Sequence, residues 1–178
     1  SLLRDVFTLA HEAGHSMHSL YSRKTQPYQY SDYPIFLAEV ASTFNEDLLT
    51  RLLIERCKDP HEKIFLLNQK IEDIRGTLFR QTMFAEFELL IHQHGEQGIP
   101  LTPSLLKEEY RKLNEIYFGP ATFIDKEIEI EWARIPHFYY NFYVFQYATG
   151  ISAALALADK VVKGNQKDRD AYLAFLKG

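Results

Sequence analysis

Cysteine is the scarcest reactive residue in this 178-residue chain, which has Cys57 alone. A single thiol closes no intramolecular disulfide and builds no thiolate metal site. Basic clusters are missing as well. Twenty Lys and Arg stand against 24 Asp and Glu, for a formal charge of −4. With no basic block, a nucleic-acid partner has no electrostatic footprint here. No apolar run approaches the ~20 residues that a membrane-spanning helix needs. Ser1–Asp5 does not resemble a signal peptide, and a cytoplasmic location is expected. Internal repeats and low-complexity tracts are absent. The composition that remains, 46% hydrophobic and 14% aromatic, suits a single folded domain over residues 1–178 with a sizeable core.

Strand alternation is nearly absent too, so the fold class expected is all-α. Only residues 127–132, around Ile128-Glu129-Ile130-Glu131-Trp132, offer a short strand. Apolar spacing predicts a first helix from about Leu3 to Tyr21, with Val6, Leu9, Ala13, Met17 and Leu20 as its apolar stripe. His11, His15 and His18 line the opposite side, facing water or a polar cleft. A second helix is expected from Pro34 to Cys57, burying Leu37, Ala41, Phe44, Leu48 and Leu52 and leaving Glu39, Thr43, Glu46 and Thr50 as a polar stripe. A long third helix runs from Pro60 to His94, and Gly95 and Gly98-Ile99-Pro100 end it. A fourth spans Pro103–Tyr117 with Thr102 as N-cap, a fifth Pro136–Lys163, and a sixth starts near Asp168.

Within the first helix, His11-Glu12-Ala13-Gly14-His15 spells H-E-x-x-H. Residues i and i+4 share a helix face, so both imidazoles can close on one Zn²⁺. Glu12 lies about 100° round the helix, where it can reach a zinc-bound water without ligating. With seven His and fifteen Glu, chance supplies about 0.02 such motifs in a chain of this length.

A catalytic zinc uses three protein ligands and keeps one position open, so one more ligand is needed. The spacing with a third histidine further down the helix, H-E-x-x-H-x-x-G-x-x-H, fails. His18 stands where its Gly belongs and Tyr21 where its His belongs. His18 itself is an alternative ligand, but it lies seven residues from His11, roughly 10 Å along a straight helix. Glu39, 24 residues after His15 on the polar stripe of the second helix, is the favoured third ligand. The small apolar neighbours Ala38, Val40 and Ala41 set it apart from an ordinary solvated glutamate. Glu46 either holds the second ring nitrogen of a ligand histidine or is a plain surface charge.

Three segments resemble one known family. Asp5–His18 is similar to the catalytic helix of the oligoendopeptidase F family, relatives of thimet oligopeptidase. Phe36-Leu37-Ala38-Glu39-Val40-Ala41-Ser42 resembles that family's third-ligand helix. Arg134–Gly150 resembles its downstream substrate-binding segment. Members are much longer, so the resemblance implies the C-terminal catalytic part of a longer protein, partnered by its own N-terminal part. It also implies an all-helical zinc metallopeptidase that cleaves short unstructured peptides. Carried over by position, His11, His15 and Glu39 are the ligands of one Zn²⁺ and Glu12 is the general base. His137 and a nearby tyrosine, Tyr140 or Tyr143 with Tyr147 as a further claimant, assist the transition state. In the helical reading His137, Tyr140 and Tyr147 fall near one face of the fifth helix, with Tyr143 further round.

The function expected is therefore zinc-dependent endopeptidase action on oligopeptides. Aminopeptidases usually carry Asn before the third-ligand Glu, where this chain has Ala38. A helical zinc carboxypeptidase, another zinc peptidase with a glutamate ligand, and a non-catalytic helical module stabilised by zinc stay open. So does a Co²⁺ or Mn²⁺ ion in the same site.

Overall fold

The computed structural model describes residues 2–178 and carries seven α-helices: α1 Leu2–Thr25, α2 Ile35–Arg56, α3 Pro60–Ile74, α4 Arg80–Glu96, α5 Pro103–Phe118, α6 Phe145–Lys163 and α7 Gln166–Phe175. No strand occurs among the described residues, so the fold is all-α. Among the described residues no helix is long and apolar enough to cross a membrane. The helices form two compact units. The first holds α1–α3 with Thr149–Gly178, and the second spans Arg75–Ala148.

In the first unit α2 is the central helix. Its Val40, Ala41 and Phe44 pack with Ala154 and Ala158 of α6 and with Tyr172 and Leu176 at the chain's end. The Phe44 and Tyr172 rings stack with centroids 3.7 Å apart. The buried carboxylate of Asp47 takes Lys70 Nζ of α3 at 2.6 Å and Arg51 Nε at 2.7 Å. Arg51 also reaches Asp159 of α6, 3.3 Å away. A buried charge left unpaired would cost several kcal/mol, so these cations bind three helices together. Asn165 caps α7 reciprocally with Asp168, which places its start at Gln166.

The helix that bears the motif packs the opposite way from expectation. Val6, Leu9, Met17 and Leu20 are exposed, Leu9 at 71%. Gly14, His18 and Ser22 are buried instead, with His11 and His15 half-buried. Periodicity identifies two opposed stripes but not which one turns inward. Here the stripe with the small residue wins, because α1 and α2 approach so closely at Gly14 that only a hydrogen fits. A Cβ there would lie 2.5 Å from the Ala41 carbonyl oxygen and 2.6 Å from Ser42 Cα. Ser22 Oγ donates to the Ser31 carbonyl at 2.7 Å, and the half-buried Asn45 Nδ2 of α2 donates to the Ala10 carbonyl of α1 at 3.2 Å.

The second unit centres on Met83, Phe84 and Phe87 of α4, Tyr110 and Leu113 of α5, and Ile135 and Val144. Thr102 caps α5 as expected, its Oγ1 accepting from Leu105 N at 3.3 Å. Three local expectations are corrected. The long third helix changes to a π-helical turn at Arg75–Phe79, containing Gly76, and α3 passes into α4 there. The suggested strand at 127–132 lies inside a 3₁₀ helix, Lys126–Arg134. Alternation misleads there because Glu131 is the buried residue and Ile130 is exposed. Glu131 accepts from Tyr110 Oη at 2.7 Å and pairs with Arg80 and Arg134. Burial alone would raise its pKa, but the Tyr110 bond and the two guanidinium charges hold it below the usual carboxylate range.

The fifth helix begins late. Pro136–Tyr139 forms a 3₁₀ turn, Phe142 takes a positive φ of 57°, and α6 starts only at Phe145. Ridge patterns of one continuous helix therefore do not apply to His137, Tyr140 and Tyr143.

Candidate metal centre

One turn of α1 separates His11 from His15, and their Nε2 atoms face each other at 3.1 Å. Glu39, in the second turn of α2, brings Oε2 to 3.7 Å from His11 Nε2 and Oε1 to 3.9 Å from His15 Nε2. The three side chains offer ligand atoms that all lie within 4.8 Å of one another, the one such cluster among the described residues. Bond lengths of about 2.0–2.2 Å place tetrahedral zinc ligands roughly 3.3–3.5 Å apart. The observed separations bracket that value, so the donor set fits a zinc ion. Ser42 Oγ lies 3.3 Å from Glu39 Oε2 and donates to the Glu39 carbonyl at 3.1 Å, steadying this carboxylate at the helix contact.

The outer nitrogen of His11 is held as well. Nδ1 donates to Oε1 of Glu46 at 3.0 Å, which leaves the Nε2 lone pair aimed at the cluster. That hydrogen bond raises the His11 pKa most. Burial opposes it, while the charges of Glu46, Glu39 and Glu12 add to it. Of the two readings for Glu46, the geometry supports the orienting one.

Glu12 is exposed and stands outside the converging ligand set. His18 lies apart from that set too. It is 2% exposed, and its ring stacks on Tyr33 at 3.7 Å with 8° between planes. Burial lowers its pKa, helped by the charge of His15. Tyr33 links this stack back to the motif, its hydroxyl lying 2.7 Å from Ser19 Oγ and donating to the His15 carbonyl at 3.4 Å.

In the second unit the expected aromatic group does assemble, though not on a helix face. The rings of His137, Tyr143 and Tyr147 form a triangle with centroids 5.7–5.9 Å apart. The Tyr147 hydroxyl lies 3.3 Å from His137 Nε2, within hydrogen-bonding distance. Tyr140 joins through Tyr143 at 6.2 Å and is 66% exposed. Sequence reasoning missed Gly14 as the contact point of the two ligand helices. The signal was present, since Ala13-Gly14 and Ala38, Ala41 and Ser42 are small residues on the two helices that carry the proposed ligands.

An H-E-x-x-H helix whose two histidines converge with a glutamate of the next helix has the donor arrangement of a helical metallopeptidase site. The model of Peptidase family M3 matches residues 2–178, and the chain belongs to that family. It is 55% identical over 175 residues to Oligopeptidase PepF of Bacillus subtilis, covering 98% of this chain and 26% of that protein. It is 56% identical over 175 residues to an oligoendopeptidase F homolog of Lactococcus lactis, covering 98% of this chain and 29% of the relative. The crystal structure of oligoendopeptidase-F from Enterococcus faecium superposes with a TM-score of 0.87 at 50% identity, over 98% of this chain and 31% of that one. The chain thus spans less than a third of the length of these relatives.

Proposed function

We propose that this chain carries the zinc ligands and general base of a metalloendopeptidase that hydrolyses short, unstructured oligopeptides. The convergence of His11, His15 and Glu39 on one point, with Glu12 beside them, carries the reading. The names of the relatives supply the substrate class. In this reading His11, His15 and Glu39 hold one Zn²⁺, and Glu46 fixes the His11 ring. Bound zinc supplies Lewis-acid polarisation of the scissile carbonyl and a lowered pKa for water.

Glu12 takes the proton of the attacking water on its carboxylate and passes it to the leaving amine. His137, with Tyr140 and Tyr143, supplies hydrogen-bond donors to the developing oxyanion, worth about 3–4 kcal/mol per donor in other hydrolases. The remaining length seen in the relatives is the proposed partner of this chain, and the exposed face of Val6, Leu9, Met17 and Leu20 suits burial against it. A lone thiol at Cys57 accords with work in the cytoplasm.

The test is hydrolysis of an internally quenched peptide by the longest protein that contains this chain, with and without chelator. Cleavage that chelator stops and zinc restores is expected. Products from an end-blocked peptide should show internal cuts, and cuts at one terminus alone would favour the carboxypeptidase. Bound zinc without any hydrolysis would favour the non-catalytic module. Glu46→Ala should weaken zinc binding by about 10–100-fold, read by competition against a chromogenic chelator. Unchanged affinity would return Glu46 to the surface charges.

A further inference from the structure

The geometry points to Glu88 as a positioning residue that holds the His137–Tyr147 segment in working shape. Glu88 is 1% exposed, in the middle of α4. A buried carboxyl needs a hydrogen-bond partner, and a main-chain group provides one: Phe142 N donates to Glu88 Oε1 at 2.7 Å. Phe142 is also the single residue other than glycine with a positive φ among the described residues, at 57°. Bulky L-residues rarely adopt that conformation. The backbone is thus turned unfavourably at the one amide that the buried carboxyl captures.

The rest of the segment is anchored on the same helix. The Phe138 ring packs against Phe84 and Phe87, with centroids 5.7 Å from each. The Phe142 ring meets His92, one turn beyond Glu88, at 4.5 Å. Anchors therefore alternate with the proposed oxyanion donors: Phe138 follows His137, and Phe142 precedes Tyr143. Releasing the Phe142 amide frees the turn between His137 and Tyr143, the two rings that stack 5.9 Å apart. The hydrogen bond, not the bulk of Glu88, sets their separation. The catalytic part of this inference rests on the peptidase reading above, while the clamp itself does not.

Three variants of the longest protein containing the chain test it. Glu88→Leu fills the space without an acceptor, Glu88→Asp retracts the carboxyl by one methylene, and Glu88→Gln keeps a carbonyl at the same reach. In Leu and Asp variants, amide hydrogen exchange over residues 138–146 should accelerate while α5 keeps the parent's protection. Their kcat should fall by about 100-fold with KM little changed, the size of effect expected when catalytic groups are misplaced. The Gln variant should stay within about tenfold of the parent, because a neutral acceptor makes a weaker bond to the same amide. Parent-like exchange and kinetics in Leu and Asp overturn the inference. Equal loss of protection in 138–146 and α5 in both also overturns it, since Glu88 then merely supports the core. If Leu alone misfolds, Asp decides. A parent that hydrolyses no peptide, with the exchange pattern as expected, would sink the peptidase reading and leave the clamp standing.

Discussion

Glu12→Gln is expected to leave zinc bound and to lower kcat by about 10²–10⁴-fold, the range associated with loss of general acid–base catalysis. The substitution keeps shape and removes only the ability to accept a proton. Glu12 is exposed and contributes no atom to the His11, His15 and Glu39 cluster, so neither folding nor ligation depends on it. Its charge does help raise the His11 pKa, together with Glu46 and Glu39. Removing it takes away one exposed charge near the cluster but none of the three ligand atoms, so zinc is expected to stay bound. Zinc content by elemental analysis and turnover on a quenched peptide decide the matter together. Full activity with zinc retained would take Glu12 out of the base role. Loss of zinc would show it to be part of the holding geometry.

The site was more legible in the sequence than the packing around it. An i, i+4 pair of histidines fixes its own geometry locally, so His11 and His15 follow from helix formation alone. Glu39 followed because a carboxylate among Ala38, Val40 and Ala41 needs a reason to be there. The direction in which α1 faces was not legible. Its two stripes are both long, and the choice is made by a contact between residues 27 positions apart, Gly14 and Ala41.

Other misreadings share that cause. The alternation at Ile128–Trp132 predicts buried isoleucines, yet Arg80, Tyr110 and Arg134 pull Glu131 inward. The start of the fifth helix looked continuous because nothing in the residues from His137 to Tyr143 announces a break. The turn at Phe142 is fixed by Glu88, 54 positions upstream. In these two segments a long-range polar contact overrides a local pattern, as the close approach at Gly14 does for α1.

Gly14→Ala should cost stability and zinc affinity together, against the sign that local propensity predicts. In a helix interior alanine is favoured over glycine by about 1 kcal/mol, so a site without neighbours would gain. At Gly14 the new Cβ would meet Ala41 O at 2.5 Å, Ser42 Cα at 2.6 Å and Ser42 N at 2.8 Å. All three are backbone atoms, and no side-chain rotation relieves the contact. Ordinary separation is about 3.5 Å or more, so α1 must move off α2 by roughly an ångström. Overpacking of this kind typically costs about 1–3 kcal/mol, which exceeds the propensity gain over most of that range.

The same movement separates His11 and His15 on α1 from Glu39 on α2, whose ligand atoms are now 3.7–3.9 Å apart. Zinc affinity should therefore fall by at least about tenfold, equivalent to 1.4 kcal/mol of lost ligand geometry. Gly95→Ala, late in α4 with nothing within 4 Å of the added carbon, is the control and should melt at or slightly above the parent temperature. Thermal melting of the metal-free forms and competition with a chelator separate the two effects. A Gly14→Ala protein that melts and binds zinc like the parent would show that the two ligand helices tolerate a wider spacing. The metal geometry would then be set by the flexible side chains of His11, His15 and Glu39 and not by how closely their helices pack.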